Sequence, residues 1–191
     1  MGDVAMSVQA VRNILESNPK VQITLVTRPA FSVFFGQHER LNFHPIDLKG
    51  YHKGLIGLRR LYKELQKESF DFILDWHNVL RSKIICSFFR FSKTKVLTID
   101  KDRKTKEAIV NKKTSLSAQK HSIQRYLDVA RSASLRIENN FRFILPTKSD
   151  KKLNVIGIAP FAAHESKEWG MGNIESLIQE LDDQQTEILL F

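Results

Sequence analysis

The sequence predicts an α/β protein, a parallel sheet with helices on both faces. Short β-branched runs alternate with stretches of 3.6-residue apolar period, and no internal repeat or low-complexity tract interrupts them. The last forty residues read as strand, loop, helix, strand, a βαβ unit. Between these two regions Asn139-Asn140 through Lys152, with Pro146 and Thr147-Lys148-Ser149-Asp150, has linker composition. The predicted organisation is therefore a first domain over 1–139, a linker over 140–152, and the start of a second domain over 153–191.

The elements follow in order. Val4, Val8, Val11 and Leu15 share one helical face that Asn18-Pro19 ends, and Asp3 stands at its start as an N-cap. A carboxylate at a helix start beside a glycine can also serve a ligand, so capping and chemistry are compatible there. Val21–Thr27 alternates as a strand. Pro29 opens a short helix carrying Phe31, Val33, Phe34 and Phe35, and Leu41–Leu48 is a short strand interrupted by Pro45. After the loop Gly50–Gly54 a helix turns Leu55, Leu58, Leu61, Tyr62 and Leu65 inward and Arg59, Arg60 and Lys63 outward.

Phe70–Trp76 reads as a strand buried on both faces. Val79–Phe91 is helical with Arg81 and Lys83 near its start, where the macrodipole disfavours cations, which favours a role in anion binding. Thr94–Asp100 is a strand, Lys101–Lys106 a basic loop, and Ser117–Leu135 a long helix with Ile123, Tyr126, Leu127 and Ala130 on one side. Val155–Pro160 is an apolar strand. Ile174, Leu177, Ile178 and Leu181 mark the helix that follows its loop, and Thr186–Phe191 forms the last strand. That loop carries Ser166 and Lys167 where open α/β sheets bind ligands, and helix-start N–H groups with a lysine ammonium suit a phosphate. A solvated loop lysine is the plain alternative.

The chain has 191 residues, 42% hydrophobic and 27% charged, which suits a globular protein. Its single cysteine, Cys86, allows no internal disulfide and no cysteine-based zinc site. No apolar stretch approaches the ~18 residues of a membrane helix. The six histidines show neither HExxH nor close pairing, so no metal site is expected, and GxSxG and GxxxxGK[ST] do not occur. The net charge is +9, concentrated between Arg81 and Lys113, where only Asp100, Asp102 and Glu107 oppose the cations. Such a field attracts polyanions: a phosphorylated glycolipid, an anionic membrane or nucleic acid. The basic residues are not interleaved with aromatics as in a nucleic-acid reading module.

Three segments resemble a known family. Ile158-Ala159-Pro160-Phe161-Ala162-Ala163-His164-Glu165-Ser166-Lys167-Glu168-Trp169-Gly170 is similar to the opening of the second domain in ADP-heptose:lipopolysaccharide heptosyltransferases, glycosyltransferase family 9. Gly2-Asp3-Val4-Ala5-Met6-Ser7 resembles the Gly-Asp turn after their first strand, and Phe70–Ser82 their "YD-apolar-apolar-D…R-S" segment. Ala162 and Ala163 stand where relatives often carry a hydroxyl, and Gly170 where a helix-starting Pro is common.

The resemblance implies a GT-B enzyme of two Rossmann-like domains. The chain would then be an amino-terminal fragment lacking the first strand and most of the second domain, and inactive alone. It implies inverting transfer of heptose from ADP-heptose to the lipopolysaccharide inner core, with no cofactor or metal beyond the donor. Asp3 would be the general base, and Ser166 and Lys167 would hold the donor diphosphate. Gly2, Arg59, Arg60, Lys63, Arg81 and Arg103 would meet the acceptor. Cytoplasmic location, with peripheral contact at the anionic inner face of the cytoplasmic membrane and no nucleic-acid partner, follows from the same resemblance. The alternative class is a basic α/β binding module for polyanions such as nucleic acid or anionic membrane.

Overall fold

The computed structural model describes residues 2–115, 118–142, 155–162, 164–182 and 187–190. The chain divides into two compact units, Met1–Leu145 and Pro146–Phe191. Most of the 140–152 linker lies outside the described residues.

In the first unit α1 (Gly2–Ser17) is the central helix, with Val8, Ala10, Val11, Ile14 and Leu15 buried. It also buries Asn13, whose side-chain amide donates to the Glu138 carbonyl at 2.7 Å and accepts the Glu138 N–H at 3.0 Å. Asn18 ends the helix by donating to the Ile14 carbonyl at 2.8 Å, just before Pro19. Strand β1 (Ile23–Thr27) pairs in parallel with β2 (Leu41–Pro45), from Ile23 opposite Leu41 to Thr27 opposite Pro45. A 3₁₀ segment, Pro29–Phe35, lies between them. It opens on a proline and drives Phe35 into the core with Val8, Val11, Leu15 and Leu41. Pro45 falls at the strand end, where its missing N–H costs no ladder bond.

Helix α2 (Gly54–Leu65) buries Leu58, Leu61 and Leu65, the last two in a cluster with Phe89. Strand β3 (Phe72–Asp75) pairs in parallel with β4 (Lys95–Thr98), linked by α3 (Leu80–Phe88) and a 3₁₀ turn, Phe89–Phe91. Helices α4 (Arg103–Val110) and α5 (Ser122–Ser132) follow, and α5 packs Tyr126, Leu127 and Val129 against Ala10 of α1 and Ile99. Trp76, just past β3, packs against both α1 clusters and ties the β1–β2 pair to the β3–β4 pair.

Four expectations change. Leu55 is exposed rather than inward: the stripe of α2 runs through Leu58, Leu61 and Leu65, and the backbone of His52 fills the space beside Gly57. Strand β3 is not buried on both faces; Phe72 lies at its amino end, where its ring meets the Lys95 ammonium at 6.0 Å. The basic run from Arg103 is the first turn of α4 rather than loop. The long helix starts at Ser122, because the His121 ring nitrogen accepts the Ile123 N–H at 3.3 Å and caps it, and it ends before Ser134 at φ +60°.

In the second unit β5 (Val155–Ile158) pairs in parallel with β6 (Glu187–Leu190), and α6 (Met171–Asp182) lies between them in sequence. The parallel α/β class is the observed one.

Candidate active site

Asp75, the last residue of β3, is buried, and its carboxylate organises the turn that follows. One oxygen accepts the N–H groups of His77 and Asn78, each at 2.9 Å, and the other accepts the Ser82 hydroxyl at 2.9 Å. The Ser82 oxygen in turn accepts the Val79 N–H at 3.0 Å, closing the start of α3. Asn78 takes φ +43°, which an asparagine tolerates better than most residues. Its side-chain amide donates to the Ile99 carbonyl at 2.8 Å and so joins the turn to the end of β4. The Asp…Ser spacing of the Phe70–Ser82 segment is thus a device that fixes a tight turn at the carboxyl ends of two parallel strands.

Against this turn lies the start of α1. Trp76 stacks on Tyr126 with ring centroids 4.9 Å apart, and the Tyr126 hydroxyl lies 3.5 Å from the Asp3 carbonyl oxygen. Asp3 sits inside the first turn of α1 and not at its cap, so its carboxylate meets the positive helix end without closing a capping bond. It is exposed, and no hydrogen bond holds its carboxylate among the described residues. Burial, aided by Asp3, pushes the Tyr126 phenol above its ordinary value.

His77 projects from the turn. Burial first and then Lys101 hold its pKa below the ordinary value, Arg81 acting in the same direction while Asp75 and Asp3 oppose them. It is therefore a neutral imidazole near pH 7. The Arg103 guanidinium donates to the Asn78 carbonyl at 3.0 Å. Asp3, His77, Arg81, Lys101 and Arg103 thus gather around one turn. Two buried polar atoms flank His77 without a partner among the described residues, the Trp76 indole nitrogen and the Asn78 amide oxygen. One carboxylate among cations and a neutral imidazole can hold an anionic ligand while a base lies beside its hydroxyl groups.

The remaining expected residues sit elsewhere. Gly2 opens α1 with free space where a side chain would stand. The Arg60 guanidinium lies over the Tyr51 ring at 5.0 Å. Arg59 borders a groove of about 550 Å³ with Tyr62, Phe88 and Phe91, and Lys63 is exposed on the same helix. Ser166 and Lys167 belong to the second unit, in an exposed 3₁₀ turn, Glu165–Lys167, closed by the Lys167 N–H on the His164 carbonyl at 2.9 Å. From the sequence, His77, Lys101 and Tyr126 had no assigned role in the site; Lys101 read as part of a basic loop and Tyr126 as a helix-face residue. The available signal was the position of His77 two residues past a strand's carboxyl end.

Among the described residues no three His, Cys, Asp or Glu side chains are placed to hold a metal ion, and no helix is long and apolar enough to cross a membrane. Burial, reinforced by Asp75, pushes the Cys86 thiol up to about 12, which removes it as a nucleophile.

The model of the family described as glycosyltransferase family 9 (heptosyltransferase) matches residues 58–191. Among solved structures, the glycosyl transferase family 9 protein from Veillonella parvula DSM 2008 superposes with a TM-score of 0.71 at 15% identity, covering 100% of this chain and 60% of that one. E. coli heptosyltransferase WaaC with ADP gives 0.70 at 18% identity, covering 100% and 64%. The same enzyme with ADP-2-deoxy-2-fluoro heptose gives 0.70 at 17%, covering 100% and 65%. The chain spans under two thirds of the length of these structures. No curated protein matches it by sequence.

Proposed function

The chain belongs to glycosyltransferase family 9, and from that membership we propose that its protein transfers heptose from ADP-heptose to the inner core of lipopolysaccharide, with inversion at the anomeric carbon. The observation that supports the reading best is the gathering of Asp3, His77, Arg81, Lys101 and Arg103 around the turn after β3. In the proposed reaction an acceptor hydroxyl attacks the anomeric carbon of the donor. Asp3 takes its proton, a contribution of about 10²–10⁴-fold in rate, and ADP leaves from the opposite face.

Charge develops on the departing diphosphate, which Lys167 would neutralise while Ser166 donates a hydrogen bond. Arg81 and Arg103 would hold the anionic groups of the acceptor, with Arg59, Arg60 and Lys63 contributing from α2 and Gly2 leaving room beside Asp3. A neutral His77 supplies a hydrogen bond to an acceptor hydroxyl without adding a charge beside the base. The acceptor is a lipid-linked phosphorylated glycan, which places the work at the inner, cytoplasmic face of the membrane; neither metal nor organic cofactor has a part in it.

The test is acceptor-dependent release of ADP by the protein as its gene encodes it, with ADP-heptose offered beside other nucleotide sugars. Release that depends on ADP-heptose and on a core acceptor supports the reading; release with a different donor alone would replace heptose, and no release with any donor would end it.

A further inference from the structure

The turn between β2 and α2 is built more firmly than its exposure requires. The Asp47 carboxylate accepts the backbone N–H groups of Lys49, Gly50 and Tyr51 at 2.9–3.1 Å. His52 lies buried beneath: its Nδ1 accepts the Asp47 N–H at 3.1 Å and its Nε2 lies 3.1 Å from a Glu64 carboxylate oxygen. Gly57 presses on this turn so closely that a Cβ would fall 2.2 Å from the His52 carbonyl carbon.

This firm support holds apolar side chains outward. Tyr51, Leu55 and Ile56 are 56%, 69% and 73% exposed, while Leu58, Leu61 and Leu65 of the same helix fill the core. Lys49, Lys53, Arg59 and Arg60 surround them, all exposed. The carboxylates on these elements are already engaged, Asp47 by its turn and Glu64 by His44 and His52. What faces solvent is an apolar patch whose rim carries four cations against one exposed carboxylate, that of Asp47, a net positive edge. That is the composition of an interfacial membrane contact, in which apolar groups enter the headgroup boundary and cations meet anionic lipid.

We infer that the Lys49–Arg60 face docks the protein onto an anionic phospholipid bilayer, Tyr51, Leu55 and Ile56 entering the headgroup–acyl boundary beneath the four cations. The inference rests on the reading that the acceptor is lipid-linked, and it names the surface that meets the membrane. The aliphatic pair favours a bilayer over single-stranded nucleic acid, whose bases stack on aromatic rings.

The experiment is co-sedimentation of the chain with vesicles of phosphatidylcholine alone and of phosphatidylcholine mixed with phosphatidylglycerol. Binding is expected with the mixed vesicles and weakens as salt rises. Leu55→Ser with Ile56→Ser lowers it about tenfold or more, because two large apolar side chains no longer leave water. Lys49→Glu with Lys53→Glu lowers it as well and flattens its salt dependence. Val110→Ser, at a residue 79% exposed elsewhere, leaves it unchanged. All these side chains are in solvent, so unaltered melting shows that the variants fold.

Equal sedimentation with both vesicle types overturns the proposal, as does undiminished binding by the Leu55/Ile56 variant. A dimer in free solution that the same variant dissolves makes a second copy the occupant and also overturns it. Vesicle binding requires neither donor nor transfer. If it fails while ADP release stands, the docking face falls alone; if it holds while release fails, the face stands and the transferase reading falls.

Discussion

His77 carries opposed neighbours: burial, Lys101 and Arg81 disfavour its charge, and Asp75 and Asp3 favour it, the first group prevailing. Because its folded pKa lies below the ordinary value of about 6.5, the unfolded chain binds its proton more tightly. Its contribution to stability is complete above that value and is lost as pH falls toward the depressed folded pKa. His77→Gln should remove part of the acid destabilisation that melting temperatures record below pH 6.5 or so, leaving stability at pH 8 nearly unchanged. Identical pH profiles for wild type and variant would mean that neither burial nor the cations hold this ring below its ordinary value. Two residues upstream, Asp75 has a different task, since its carboxylate is consumed by two N–H groups and a hydroxyl. Its place in the Phe70–Ser82 segment is that of a positioning residue for His77 and Arg81.

The β3–α3 turn and the β2–α2 turn both use an aspartate to fix backbone at a strand's carboxyl end, but different features of the sequence announce them. The helices were legible where a stripe of apolar residues met a core: Val8–Leu15 in α1, Leu58–Leu65 in α2, Tyr126–Ala130 in α5. Legibility failed where tertiary or local polar contacts decide. Nothing in its apolar spacing separates Leu55 from Leu58, and only the close approach of His52 to Gly57 shows that the first turn of α2 has no room for a core contact. The start of α4 was hidden by charge, and the start of α5 by a histidine acting as a cap. Gly57→Ala tests this close approach: the added methyl must displace backbone rather than a flexible side chain, so a loss of about 1–3 kcal/mol is expected in denaturant unfolding. Gly172→Ala in α6, where the space is open, should be neutral or slightly stabilising; a similar gain at both positions would show that helix propensity, not packing, sets the effect.

At the scale of the whole molecule, the parallel α/β class could be read from the alternation of short apolar runs with amphipathic helices. The site could be read only in part, since Asp3, Arg81 and Arg103 come from three separate elements and their meeting depends on Trp76 bridging two clusters. The excess of +9 is likewise a global quantity that says nothing about where cations converge. Charge reversal separates the two. Arg81→Glu should raise the acceptor's Michaelis constant about 10- to 100-fold, the worth of a hydrogen bond to a charged group, with donor affinity unchanged. Lys112→Glu with Lys113→Glu, beyond α4, should leave that constant within about twofold, because exposed charges more than a Debye length of ~8 Å away are largely screened. Equal effects would make the basic face an unspecific electrostatic surface. The most direct measurement on the central claim is the turnover of Asp3→Asn beside its donor affinity. Asp3 lies in the first turn of α1 and not at its cap, so the variant should lose only about 0.3–1 kcal/mol of stability and bind ADP-heptose as before. Its turnover should fall by about 10²–10⁴-fold; turnover near the wild-type value in a variant that merely melts earlier would contradict the assignment and move the catalytic base to another residue.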